Sequence, residues 1–168
     1  MSESESVLQQ AIKGLAIMDV VLRESSIKPT AKFDPLLELA QAEDALIQSK
    51  HYMIGHEVAE TGSSENKPAR VLRARFFAAF RVLPADFPKN KLGDTQATDD
   101  ASLIEITAEF AAYYRVVDVN LPDEAIDVFC NHNVPYHVWP YWREYAQSVS
   151  ARARLPNFVP PFLRVATK

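Results

Sequence analysis

Five side chains in this chain could bind a metal or attack a substrate: Cys130, His132 and His137, close together in sequence, and His51 and His56 far upstream. A cysteine and two histidines suit zinc, and a thiol beside an imidazole can be a nucleophile with its base. The spacing supports neither reading. Cys-x-His-x4-His is not a standard zinc spacing, and no fourth ligand stands out. A buried cysteine and surface histidines account for the cluster without a ligand. With 4 glycines in all, the chain has no phosphate-cradling loop. It also lacks a G-x-S-x-G elbow and paired catalytic carboxylates. The expectation is a protein that is not an enzyme, with no catalytic residue, no metal and no cofactor.

What is specific lies near the end of the chain. Pro135-Tyr136-His137-Val138-Trp139-Pro140-Tyr141-Trp142-Arg143-Glu144 reads as two prolines bracketing an aromatic-rich turn, followed by a helical run that Leu155-Pro156 closes. The bulk properties fit a single folded unit. A chain of 168 residues is a one-domain length, able to bury roughly two thirds of its unfolded surface. A composition of 48% hydrophobic and 24% charged residues is that of a globular protein. A net charge of −4 offers no basic face for nucleic acid. A single cysteine excludes an internal disulfide and fits a reducing compartment. The acidic, polar start Met1-Ser-Glu-Ser-Glu-Ser is unlike a secretory leader, and no apolar run reaches the roughly 18–20 residues of a membrane span. These features predict a cytoplasmic protein with no nucleic-acid partner and no membrane insertion.

The elements that must position the aromatic segment are legible as periodicity. From Leu103 to Val117 the even positions Ile104, Ile106, Ala108, Phe110, Ala112, Tyr114 and Val116 are apolar or aromatic, while Glu105, Thr107, Glu109 and Arg115 alternate with them. From Arg70 to Leu83, Leu72, Ala74, Phe76, Ala78, Phe80 and Val82 line one face, and Arg73, Arg75, Phe77 and Arg81 the other. Period 2 means a strand with one buried face. If the two pair, the glutamates meet the arginines on the polar face, each pair contributing about 0.2–1 kcal/mol. Residues 12–23 read as a further strand, with apolar residues on both parities and so packed on both sides, and residues 51–58 as a weaker one. Between Phe33 and Lys50, Leu36, Leu37, Ala40 and Ile47 allow a short amphipathic helix. Residues 60–68 form a polar turn, and Pro84 to Ala101 a long exposed connection. Pro122-Asp123-Glu124 opens a helix that breaks before Pro135, and another follows Pro140. Strands followed by helices make an α+β protein, with one domain over 1–168.

With these elements placed, the chain resembles the SecB family of export chaperones. That family has a strand ending in a small-small-aromatic turn, a short helix, and the motif Pro-x-x-apolar-Phe-Pro-Tyr-x-Arg-Glu. Here Ala111-Ala112-Tyr113-Tyr114 matches the turn. Pro135, Val138, Trp139, Pro140, Tyr141, Arg143 and Glu144 match the motif without a gap, and Ser148, Arg152, Leu155 and Pro156 continue it. The likeness covers residues 103–162. Two glycines of the family pattern are Ala112 and Ala153 here, and the connection from Pro84 to Ala101 is longer than usual.

The resemblance implies a SecB-like α+β fold, a four-stranded antiparallel sheet followed by C-terminal helices, with residues 33–50 as a loop leading into a strand. It implies a holdase that binds unfolded polypeptides without ATP, as a homotetramer built as a dimer of dimers. The first strand would pair between subunits and the Pro122–Cys130 helix would join dimers. Export, with docking on a SecA-type motor, is the family's task. The family docks the motor on acidic residues, yet Asp19 is followed four positions on by Arg23 and the fourth-strand position is Thr107, which argues against such docking. The alternative is a SecB-like scaffold dedicated to one partner, such as a chaperone attached to a toxin–antitoxin system. Candidate client-binding residues are Trp139, Tyr141, Trp142, Leu155, Phe158 and Phe162. Leu155, Phe158 and Phe162 stand out because a proline-rich stretch cannot form regular structure and must lie across another surface.

Overall fold

The computed structural model of the chain describes residues 3–30, 33–34, 44–62, 69–155 and 158–163. The two alternating segments form β3 (Ala69–Leu83) and β4 (Ile104–Val116). They pair antiparallel, with Val71 opposite Arg115 and Val82 opposite Ile104. β1 (Leu15–Pro29) joins β4 and β2 (Leu46–Thr61) joins β3, giving the order β1-β4-β3-β2. All neighbours are antiparallel, and the first two strands occupy opposite edges. The apolar positions read on β3 and β4 all lie on one face, none more than 7% exposed. Helices α1 (Glu3–Gly14), α3 (Asp123–His132) and α4 (Val134–Arg152) accompany this sheet, and α4 contacts both central strands. The result is an α+β fold, a four-stranded antiparallel sheet with C-terminal helices. No helix among the described residues is long and apolar enough to cross a membrane.

Five expectations are corrected. The strand expected over 12–23 begins only at Leu15; residues 3–14 are helical. Val7, Ala11 and Gly14 recur at helical spacing, and Ala11 is fully buried. α1 ends in close contact with the turn after β4. A Cβ on Gly14 would lie 3.1 Å from Leu121 Cδ1, and the Gly14 carbonyl accepts from Val117 N at 2.8 Å. The apolar residues of both parities in β1 do not mean burial on both sides. Register shifts at Met18 and Arg23 switch the inward parity twice. Leu15 and Ile17 align with Val116 and Tyr114, Val20 and Leu22 with Ala112 and Phe110, and Ile27 with Ile106.

The exposed connection over 84–101 contains a 3-10 turn (Lys89–Lys91) and helix α2 (Thr95–Ala101). Asp94 caps α2, its carboxylate accepting from Ala97 N at 3.1 Å. Phe87 is 9% exposed and Thr98 fully buried, so this segment folds down onto the rest of the chain.

The aromatic turn between Pro135 and Pro140 is helical. α4 starts at Val134, takes Pro135 in its first turn and runs through Pro140. An interior proline costs about 3 kcal/mol. Val134, Val138, Trp142 and Val149, all buried on this helix, each contribute about 1.5–3 kcal/mol and outweigh it. Likewise Ala111-Ala112-Tyr113-Tyr114 is no turn, since β4 continues to Val116. Of the segment left open between helix and loop, residues 35–43 lie outside the described residues, and Ile47 belongs to β2.

Candidate functional site

Helix α4 presents two different flanks. Val138, Trp142, Ala146 and Val149 recur at three- and four-residue steps and are buried, with Trp142 1% exposed and 6.1 Å from Phe80 between ring centroids. Part of a turn around the helix, Trp139 and Arg143 form a second stripe four residues apart. The helix ends in a reversal. Leu155 N donates to the Ser150 carbonyl at 2.9 Å, Ala153 N to Val149 at 2.8 Å, and Arg154 is left-handed at φ 52°. This turn buries Leu155 at 8% exposure and sends the chain back along the second stripe.

Residues 158–163 lie against that stripe without regular secondary structure. Phe158 packs on Phe80, ring centroids 4.6 Å apart. Arg143 Nε donates to the Pro160 carbonyl at 2.8 Å, and Trp139 Nε1 to the Pro161 carbonyl at 2.7 Å. The Arg143 guanidinium also sits over the Phe162 ring, 4.2 Å from its centroid. Two concavities flank this strap. One, of about 400 Å³, is lined by Tyr136, Pro140, Arg143 and Glu144; the other, of about 410 Å³, by Lys50, His51, Trp142 and Pro160. Trp139, Phe162 and Leu163 wall both. His51 brings β2 to the site, its ring edge-on to Trp139 at 4.9 Å, and partial burial lowers its pKa.

Cys130 is 1% exposed, and burial, reinforced by Asp127, pushes its thiol up to about 12, far from a reactive thiolate. His137 Nδ1 pairs with the buried Tyr114 hydroxyl at 2.9 Å, and desolvation lowers its pKa. Desolvation likewise raises the Tyr114 phenol. His132 is exposed, and His56 Nε2 lies 3.2 Å from Asp127. Among the described residues no three His, Cys, Asp or Glu side chains converge to hold a metal. On the opposite face of the sheet, Arg23, Glu24, Arg73, Arg75 and Glu109 line a charged hollow of about 270 Å³. Arg75 grips both Glu109 oxygens there, at 2.7 and 3.0 Å, and holds that carboxyl below its usual range.

Of the six candidate contact residues, the structure gathers Trp139, Phe158 and Phe162 at one site. Trp142 and Leu155 lie beneath it in the core, and Tyr141, 47% exposed, projects about 200° around α4 from Trp139. Phe162 is 75% exposed. Periodicity missed His51, Tyr136 and Leu163 as wall residues. Arg143 was matched only as a motif position. The contact that gives Arg143 a role is made by main chain 17 residues away, and local pattern carries no signal for it.

The arrangement defines a SecB-like fold with an aromatic groove along its last helix. One solved structure that shows this likeness is the Mycobacterium tuberculosis Rv1957 SecB-like chaperone in complex with a ChAD peptide from the Rv1956 HigA1 antitoxin. It superposes with a TM-score of 0.59 at 17% sequence identity, covering 96% of this chain and all of that one. A protein of unknown function from Streptococcus agalactiae aligns at a TM-score of 0.34 and 7% identity, over 88% of this chain and 97% of that one. No protein-family model matches the chain, and no curated protein sequence matches it.

Proposed function

We propose that this chain is a SecB-like holdase that binds non-native polypeptides without ATP and performs no catalysis. The observation that carries the reading is the open aromatic groove between β2 and α4, walled by Trp139, Phe162 and Leu163. Unfolded chains expose apolar side chains and unpaired carbonyls. A groove walled by rings complements the apolar side chains. Trp139 is the proposed direct client contact, Phe158 and Phe162 act on the site from the strap that shares it, Tyr141 is an outlying contact, and Trp142 and Leu155 support the groove from the core.

Self-association belongs to the same reading. Ile17, Leu22 and Ile27 align with the inward positions of β4 yet are 51%, 42% and 49% exposed. A second copy laid along edge strand β1 would cover them, and a dimer or tetramer would multiply weak client contacts. A single domain working in the cytoplasm fits the reading. Motor docking does not, since the outer hollow mixes arginines with glutamates.

A second reading has its own support. The SecB-like chaperone of M. tuberculosis was solved with an antitoxin peptide, so a dedicated partner, toxin–antitoxin-linked, fits the same groove. Dilution of a chemically unfolded client with and without the protein, followed by light scattering, tests both. Suppression of aggregation at near-stoichiometric amounts, unchanged by ATP, is expected. No suppression across several clients would reject the general holdase and leave the dedicated-partner reading.

A further inference from the structure

We propose that residues 158–163 are a built-in competitor for the groove, and that its preferred ligand in trans is an extended proline-proline-aromatic stretch of another polypeptide. The inference rests on the polypeptide-binding reading above and names the ligand class and the control of that site.

The strap is held as a ligand is held. Pro160 and Pro161 have fixed φ, and Val159 and Pro160, each preceding a proline, are driven to extended backbone. Neither proline has an N–H, so the Pro160-Pro161 pair offers carbonyls alone. Trp139 and Arg143, one turn apart, donate to two successive carbonyls, of Pro161 and Pro160. An indole N–H on a carbonyl beside an aromatic wall is the way grooves read polyproline II segments, whose preformed shape keeps the ordering cost low. The next residue, Phe162, supplies a ring under the Arg143 guanidinium. The site therefore reads two main-chain carbonyls and one aromatic side chain.

The strap is also lightly fastened. Phe162 is 75% exposed, and concavities of about 400 and 410 Å³ remain on either side, so the groove is occupied without being filled. Only two residues separate the strap from the buried Leu155 anchor. So short a tether gives an effective concentration on the order of millimolar, which an incoming ligand must overcome.

The test uses the full chain and a fluorescent peptide of sequence Phe-Val-Pro-Pro-Phe-Leu, with a control whose two prolines are alanine. Phe162→Ala removes an exposed ring, so circular dichroism should match that of the parent protein. The parent chain is expected to bind the peptide weakly, and Phe162→Ala at least tenfold more tightly, with clear preference over the control. Adding Trp139→Phe, which keeps a ring and removes the donor, should weaken that gain about fivefold. Equal peptide affinity in the parent and in Phe162→Ala would overturn the proposal. So would equal binding of the control. Light scattering with the parent chain separates the two readings. Client suppression without peptide gain removes the competitor and leaves the holdase. Peptide gain without suppression does the reverse.

Discussion

The two faces of the sheet are built from alternate residues of the same strands and solve opposite problems. On the helix side, Phe76, Phe80, Ile106, Phe110 and Tyr114 are almost wholly buried. On the other side, Arg73, Arg75 and Glu109 face water and one another, with Arg73 Nη2 2.6 Å from Glu57. One face supplies stability through apolar burial. The other contributes charge pairs that leave stability nearly untouched and keep the face wet. What shifts by a single position along β3 is thus the environment, polar or apolar, into which a residue projects.

The sharpest way to break this contrast is Trp142→Ala on the helix side. Trp142 is 1% exposed, and its truncation is expected to cost about 3–5 kcal/mol. A thermal melt followed by circular dichroism should fall by roughly ten degrees. An unchanged melt would mean that α4 does not hold the sheet.

Acidification probes the same face more gently. His137, against Tyr114, has its pKa lowered by burial, as does His51 against Trp139. The folded state binds protons less readily than the unfolded chain at both sites. Their contribution is therefore complete above the ordinary histidine pKa of 6.5 and is lost as pH falls through and below it. Urea midpoints at pH 7.5 and pH 5 are expected to differ in that direction, and less so in His137→Gln. A midpoint that rises on acidification would contradict the burial of these rings.

The smallest effect belongs to the charged face. Arg75→Ala removes a bidentate but exposed pair with Glu109 and is expected to leave the thermal melt nearly unchanged, the small effect shrinking further in high salt. A loss as large as that of Trp142→Ala would show that the outer face is covered in the assembled protein.

The central strands were legible because their alternation is unbroken, from Leu72 to Val82 and from Ile104 to Val116. β1 was half legible. Its bulges at Met18 and Arg23 reverse parity, and a reversal of parity in sequence looks the same as burial on both sides. Helix α4 was cut short at Pro140 because a proline signals a break locally. Only the sheet beneath Val138 and Trp142 shows why the helix survives it. At the site, the aromatic residues were visible as types. Their division between core and groove follows from where α4 lies on β3, and the grip on Pro160 and Pro161 from contacts across 17 and 22 residues.

The strand order has a consequence in time. β1 precedes β4 by some way in the chain yet has β4 as its partner among the described strands, Pro29 meeting Ile104 and Leu15 meeting Val116. At synthesis rates of about 5–20 residues per second, β1 waits on the order of 5–20 s for its partner. Closing so long a loop is also the slow kind of folding step. Through that interval Ile17, Val20, Leu22 and Ile27 have no strand to lie against. A chain proposed to shelter others thus passes through a nascent stage in which it needs shelter itself.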